Sequence, residues 1–324
     1  FCQINLSSIN YIILYTVFTS CEKEELPIQP HSVGDIISQQ IDLNQDYRYQ
    51  VFYDLSSNTI SSTNLKTDWD LGFESSAEGY HIKLNSSTYS SLSFLDNINF
   101  NDTLTIDNLS WFWDNPNGSL DSTAFGDFRL LERVYIIDRG FNISGNKRGY
   151  KKMIIDSVTA NYYLISYANL DNTDSFTFKL DKDPNVNFTS FSFKENEVVN
   201  FEPNKLDWDL LFSQYTHLYN DTTTPSYLVT GVLNNNNVTI AIDTTYAFEE
   251  INYDYISSFI FDDNQNSIGF NWKEYDLISG EYTVFTNINY IIRDNELRYY
   301  KLHFLDFYND LGVKGYPKFE IQEL

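Results

Sequence analysis

One six-residue motif occurs twice in this chain with a single change, and that recurrence limits the fold more than any other feature. Asp68-Trp69-Asp70-Leu71-Gly72-Phe73 returns as Asp207-Trp208-Asp209-Leu210-Leu211-Phe212. Tyr135-Ile136-Ile137 is paralleled by Tyr290-Ile291-Ile292. Tyr150-Lys151-Lys152-Met153-Ile154-Ile155-Asp156 is paralleled by Tyr300-Lys301-Leu302-His303-Phe304-Leu305-Asp306. Three landmarks in the same order predict two tandem copies of one domain, with a boundary near Asn172 to Ser175. The first copy is expected over 33–174 and the second over 175–324. In this alignment Met153 and His303 occupy matching positions.

The text inside each copy reads as strands. Apolar and polar residues alternate in Phe176-Thr177-Phe178-Lys179-Leu180, Phe188-Thr189-Ser190-Phe191-Ser192-Phe193 and Val238-Thr239-Ile240-Ala241-Ile242, which puts the apolar side chains on one face of a strand. Turn-forming clusters such as Asp114-Asn115-Pro116-Asn117-Gly118, Asn234 to Asn237 and Asp262-Asp263-Asn264-Gln265-Asn266 separate such runs. No long stretch keeps apolar residues at helical spacing. The 17% of aromatic residues, with 25 Tyr and 25 Phe, supply core and β-forming side chains. An all-β architecture of two antiparallel domains, with few or no helices, follows. In the repeated Trp motif, alternation puts Trp69, Leu71 and Phe73 toward a core and leaves Asp68 and Asp70 solvated or capping a turn.

Residues 9 to 18 form an apolar run of signal-peptide scale, too short to span a bilayer, followed by Thr19, Ser20 and Cys21. Phe18-Thr19-Ser20-Cys21 resembles a bacterial lipobox, in which cleavage before an acylated cysteine anchors the mature protein; Phe stands where Leu is usual. Residues 1–20 are thus expected to be a lipoprotein signal peptide and 21–32, with Pro27 and Pro30, a tether. No Met precedes Met153 and no basic residue leads the apolar run, so the natural start is expected upstream. The cluster Glu22-Lys23-Glu24-Glu25 resembles the tag that sends lipoproteins of Bacteroidetes-type bacteria to the outer face of the outer membrane. Loss of Cys2 with the signal leaves Cys21 alone, without a partner for an intrachain disulfide, a thiolate nucleophile or a cysteine metal site.

The formal charge of −24, from 45 acidic and 21 basic residues, opposes binding to polyphosphate backbones. Nucleic-acid partners are not expected. The same charge opposes adhesion to anionic lipid, leaving the acyl chains as the membrane attachment.

The stretch Phe193 to Asn200, continued by Lys205-Leu206-Asp207-Trp208-Asp209-Leu210 and Tyr215 to Asn220, resembles the N-terminal half of the HmuY family. In the first copy Asp68-Trp69-Asp70-Leu71 and Tyr80-His81-Ile82-Lys83-Leu84-Asn85 look similar. Arg133 to Ile137, Tyr290 to Arg293 and the Tyr-Lys strands after them resemble that family's C-terminal strands, while roughly 86–130 and 221–285 diverge. Trp69, Asp70, Trp208 and Asp209 carry the family motif in a structural role. The resemblance implies a compact all-β surface lipoprotein that binds haem and hands it to a TonB-dependent receptor. The best-known member ligates iron through two His of the middle region and some relatives use Met. This sequence has neither between Asn85 and Arg133 or between Asn220 and Tyr290, so those ligands carry over to no position here.

Haem ligation needs an imidazole, thioether, thiolate or phenolate aimed at iron. Beyond the tether residue His31, the candidates are His81, His217, His303 and Met153, with the plainer alternative that each is an ordinary strand residue. Trp111 and Trp113, flanking Phe112 before a Pro/Gly turn, are candidates for an aromatic platform that stacks a porphyrin, a sugar ring or a partner protein. Asp262 to Asn266 and Asp171 to Asp174 are oxygen-rich loops that lack the spaced calcium-loop pattern. No hydrolase or phosphate-loop motif is present, and an enzyme is not expected. A haem-binding surface lipoprotein comes first, a carbohydrate- or protein-binding adhesion module of the same fold second, and a glycosidase working through paired carboxylates well behind.

Overall fold

The molecule is a computed structural model that describes residues 33–219 and 225–324. The signal peptide, Cys21, His31 and the tether therefore lie outside the described residues, as does Asn220. Val33 to Leu324 forms one compact unit.

Twenty strands succeed one another: β1 (Ile37–Gln40), β2 (Tyr49–Asp54), β3 (Thr59–Leu65), β4 (Leu71–Glu74), β5 (Ile82–Leu84), β6 (Ser91–Asp96), β7 (Arg133–Asp138), β8 (Tyr150–Val158), β9 (Tyr162–Ala168), β10 (Phe176–Asp181), β11 (Phe188–Ser192), β12 (Glu197–Val199), β13 (Leu210–Leu218), β14 (Ser226–Asn234), β15 (Thr239–Asp243), β16 (Lys273–Asp276), β17 (Glu281–Val284), β18 (Asn289–Arg293), β19 (Tyr299–Tyr308) and β20 (Lys314–Glu323). Every strand pairing is antiparallel, and helical structure is confined, among the described residues, to short 3-10 turns. The all-β expectation holds.

The expected division at 174/175 does not. Two five-stranded sheets run β10-β9-β8-β7-β6 and β1-β20-β19-β18-β15, and two four-stranded sheets run β12-β11-β4-β5 and β14-β13-β2-β3. Strands β10 to β12, assigned by sequence to the second copy, thus pair with β9 and β4 of the first, and β1 to β3 pair with β20 and β13 of the second. The cores follow the sheets. One contains Leu71, Phe73, Tyr135, Met153, Tyr163, Phe191 and Phe193, drawn from 71–193. The other joins Ile41, Leu43, Val51 and Tyr53 to Leu210, Trp272, Phe304 and Phe319. The packed halves are therefore about 66–205 and 33–65 with 206–324. The boundary misplaced by sequence lies in a strand-poor stretch that marks only a turn: Asn169 N–H donates to the Thr173 carbonyl there.

Matched hydrogen bonds recur across the halves. Asp70 N–H donates to the Phe191 carbonyl, and Asp209 N–H to that of Tyr53. Asn85 N–H donates to the Asp70 carbonyl and its Nδ2 to Lys66 and Trp69; Asn235 N–H donates to the Asp209 carbonyl and its Nδ2 to Lys205 and Trp208. On the outer face of each large sheet a fully buried lysine gathers a covering loop. Lys152 Nζ donates to the Asp102 carbonyl and Asn172 Oδ1, and Lys301 Nζ to the carbonyls of Phe248 and Ile251.

The Trp motif departs from its expected alternation. The strands begin at Leu71 and Leu210, so both Trp and both Asp precede them. Asp70 and Asp209 are buried, not solvated, because residues of their own packed half, Phe193 for Asp70 and Leu55 for Asp209, close over them. Their surroundings differ sharply. Asp70 accepts from Arg139 Nε (2.9 Å) and Nη2 (3.0 Å), from Arg148 Nη2 (3.0 Å) and from Phe193 N (2.8 Å). Asp209 accepts from Leu55 N (2.9 Å) but faces Asp294 and Asp54. Burial, with those carboxylates adding to it, pushes its pKa up to about 7.

Matched positions thus predict opposite responses to one substitution. Asp70→Asn leaves two buried guanidinium groups around a neutral amide and costs about 3–5 kcal/mol. Asp209 binds its proton more tightly folded (about 7) than unfolded (about 4), so its effect is a stability that is greatest below about pH 4 and declines as pH rises to about 7. Asp209→Asn keeps an acceptor for Leu55 N and removes that decline, raising stability at pH 8 by roughly 1–3 kcal/mol with little change at pH 4. Denaturant unfolding of both variants at pH 4 and pH 8 measures this; equal losses at both positions would refute the distinction.

Candidate functional site

The sequence-predicted ligand residues are scattered. Met153 is fully buried in the first core, where it pairs across the sheet with Tyr135. Tyr290 pairs with Leu302, not His303, so the sequence alignment is one residue out and the expected match between Met153 and His303 is corrected. A one-residue offset reverses the face: His303 points outward, stacked on Phe248 at 4.0 Å, its Nδ1 3.2 Å from the Thr286 carbonyl and its Nε2 3.1 Å from Glu320 Oε2. Both ring nitrogens are occupied.

His81 lies just before β5, in the turn after β4. Its Nδ1 is 2.6 Å from Glu74 Oε2, and Tyr80 covers the ring at 4.0 Å. His217, next to last in β13, differs. Its ring meets Tyr219 at 4.7 Å and Phe270 at 5.0 Å, and Nδ1 is buried without a hydrogen-bond partner among the described residues. Burial lowers its pKa below the ordinary histidine value, so the imidazole is neutral at pH 7. The loop carrying Phe270 lies flat on β14: Val232 N donates to the Gly269 carbonyl at 2.9 Å and Gly269 N to that of Val232 at 3.0 Å. Gly231 is required there, since a Cβ would stand 2.4 Å from the Gly269 carbonyl oxygen.

Trp111 and Trp113 have different partners. Trp111 lies 6.0 Å from Tyr150 and Trp113 5.8 Å from Tyr89, both half-buried, while Phe112 is exposed. Asp171 and Asp262 accept hydrogen bonds within their own turns, from Thr173 and Asn264. Among the described residues no group of three or more His, Cys, Asp and Glu is placed to hold a metal ion, and no helix is long and apolar enough to cross a membrane.

The largest departure from expectation is where the two Trp motifs meet. Trp69, Trp208, Phe52 and Phe201 form one cluster joining the halves. Trp69 stacks on Phe201 at 4.9 Å and donates through Nε1 to Gln50 Oε1 (3.0 Å), and Phe52 meets Trp208 edge-on at 4.9 Å. Beside this cluster lies a cavity of about 110 Å³ also lined by Lys83, Phe188, Asp114, Thr123 and Asn234. Lys83 Nζ sits 4.0 Å from the centre of the Phe188 ring, and burial lowers its pKa against the pull of Glu202 and Asp114. Glu202 accepts hydrogen bonds from Asn187 N and Nδ2 and from Phe188 N. Asp114 Oδ2 accepts from Leu84 N (2.6 Å) and Oδ1 from Ala124 N (2.7 Å), while burial pushes its pKa up to about 6. Trp208 Nε1, Asn234 Oδ1 and Thr123 Oγ1 are buried without a hydrogen-bond partner among the described residues. Sequence reasoning missed Lys83, Thr123 and Asn234. The signal was the pair of Trp motifs, read as two separate cores when they share one.

Two wider grooves, of about 610 and 510 Å³, both include Arg139 and Arg148, and the second also includes Tyr150 and Lys151. The arginines are committed to Asp70, and Lys151 Nζ donates to Asn169 Oδ1 at 2.7 Å.

The family model described as HmuY protein matches residues 46–321 without interruption. No curated protein matches the chain. Among solved structures, apo PinO from Porphyromonas gingivitis is similar at 7% identity and a TM-score of 0.36, over 90% of this chain and 97% of that one. The apo HmuY analog TFO from Tannerella forsythia is similar at 10% identity and a TM-score of 0.27, again over 90% and 97%. The single match over 46–321 spans both halves and both Trp motifs: the chain belongs to the HmuY family.

Proposed function

We propose that this protein is a surface lipoprotein, anchored through Cys21 at the outer membrane, that binds haem or a related tetrapyrrole for delivery to a TonB-dependent receptor. Its role is binding, not catalysis. Family membership over 46–321 carries this reading. The matched hydrogen bonds of Asp70 with Asn85 and of Asp209 with Asn235 support a further element of it: the chain derives from two copies of one unit whose opening three strands are exchanged between the halves.

Of the candidate ligands, His217 fits best. Haem iron takes a neutral imidazole, and His217 combines burial-enforced neutrality with a ring nitrogen that no described residue occupies. His81 is held by Glu74, His303 by Thr286 and Glu320, and Met153 by the core.

Haemin titration of the chain lacking residues 1–20 is expected to give a saturable Soret shift at micromolar haemin. His217→Ala is expected to weaken it at least about tenfold while His81→Ala and His303→Ala leave it intact, His303 having both ring nitrogens engaged by Thr286 and Glu320. No saturable change would overturn the haem reading, and an unchanged spectrum in His217→Ala would remove His217 from it. Because burial lowers the His217 pKa, protonation competes only at acid pH. The affinity is therefore expected to be flat from pH 8 to about 6.5 and to fall below that; a fall beginning above pH 7 would contradict a buried neutral ligand.

A further inference from the structure

One rim of the second half gathers the first described residues, Leu324 and the start of β19. Gly34 N–H donates to the Glu323 carbonyl at 3.1 Å, and Leu324 N–H to that of Tyr299 at 2.8 Å. Around Tyr299 the rim is apolar. The Tyr253 and Phe261 rings each lie 5.8 Å from it. Ile260, just before Phe261, is 91% exposed and Leu297, two residues before Tyr299, is 62% exposed. Val33 and Ile36 are exposed on either side of Gly34 and Asp35. Single exposed apolar residues are ordinary on a protein surface, but the backbone of Leu297 is not. Its φ of 66° makes it the only aliphatic residue in the left-handed region among the described residues, where a side chain crowds the backbone and Gly or Asn is favoured. The turn does not need Leu. Asp294 closes it, its carbonyl accepting from Leu297 N and its carboxylate from Glu296 N and Arg298 N. A conformational cost is thus carried for a side chain that points at nothing in the fold, which marks what lies outside it.

The tether says what that is. Val33 follows Cys21, the proposed anchor, by twelve residues, a reach of at most about 40 Å. A link of this length keeps the rim at a high effective concentration beside the bilayer, so a contact too weak to hold free protein persists. Reach alone allows several orientations. The apolar rim selects one, because β20 (Lys314–Glu323) spans about 30 Å from this rim to the opposite end of the sheet. Charge selects the lipid. Asp35 and Asp254 are exposed, and Arg298 is held by Asp294 and Glu296, so anionic headgroups are repelled and headgroups without net charge are accepted. Tyr253 and Tyr299 suit the headgroup level, where a phenol keeps its ring in the apolar layer and its hydroxyl in water.

We propose that the rim of Val33, Ile36, Tyr253, Ile260 and Leu297 seats the protein on an uncharged lipid surface, with Leu297 entering the headgroup layer. This rests on the Cys21 anchor and extends it to the orientation of the anchored protein. In the chain lacking residues 1–20, Cys21 is the one cysteine, so it can be coupled to a maleimide lipid in phosphatidylcholine vesicles and amide hydrogen exchange compared with that of the uncoupled chain. Residues 253–261 and 294–299 are expected to exchange at least about threefold more slowly when coupled, with 276–280 and 309–312 unchanged. Leu297→Asp combined with Ile260→Asp should abolish the slowing, and phosphatidylglycerol vesicles should weaken it. Leu297→Asn should reduce the slowing while raising Tm, because Asn suits the left-handed turn. No slowing, equal slowing at 276–280, slowing that survives the Asp pair, or greater slowing on phosphatidylglycerol overturns the proposal. So does a lower Tm in Leu297→Asn, which would make Leu297 a packing residue, or slowing of the rim in concentrated protein without vesicles, which would make it a contact between copies. The mass of the chain recovered from membranes tests the anchor separately: an acylated mass with no slowing rejects the rim contact alone, and an unacylated mass rejects the anchor and this use of the rim with it.

Discussion

Two strand pairings hold the rest of the molecule in place: β11 against β4, and β2 against β13. Each joins a strand from early in one sequence copy to the Trp-motif strand of the other. Because a strand in mid-sheet satisfies backbone groups on both edges, β4 and β13 cannot leave their sheets without orphaning the partner contributed by the other copy. Neither 33–174 nor 175–324 therefore contains a complete core. The halves that do, about 66–205 and 33–65 with 206–324, have the early strands exchanged.

The exchange explains why the Asp of the repeated motif is buried. Asp70 lies at the entry to β4, where Phe193 N and the two arginines of the loop after β7 converge on it; Asp209 lies at the entry to β13 beneath Leu55. In one half the loop after the Tyr-Ile-Ile strand supplies Arg139, and in the other the residue following Arg293 is Asp294. The same backbone arrangement therefore holds a satisfied ion cluster on one side and a carboxylate favouring its proton on the other. Identical text in the motif carries unlike electrostatics because the partners come from distant, unlike text.

This bears on what could be read from the chain. Fold class was legible, because period-two alternation in stretches such as 176–180 and 238–242 is a local property. The repeat was legible for the same reason. Which copy each strand joins was not, since pairing of β11 with β4 is set across more than a hundred residues and leaves no local mark. The reading of Asp70 as solvated failed on that point: alternation says which side chains share a face but not what covers it. The pairing of Met153 with His303 failed by one residue, and in a strand that is enough to exchange core for outer face.

Histidine was legible as a residue type and illegible as an environment. His303 and His81 have carboxylates beside them, from Glu320 and Glu74, and His217 has aromatic rings, distinctions that arise only from cross-strand neighbours. The junction cavity poses the converse case. Buried polar atoms without partners also occur inside the solid cores, at Tyr135 and Trp272, where close packing leaves no room for an occupant and the cost is borne as lost hydrogen bonding. At Trp208, Asn234 and Thr123 the same deficit lies among the residues beside the junction cavity. The two Trp motifs meet at one place, and there the residues that differ between positions matched by the Asn85 and Asn235 hydrogen bonds, Lys83 against Leu233 and Leu84 against Asn234, supply polar groups.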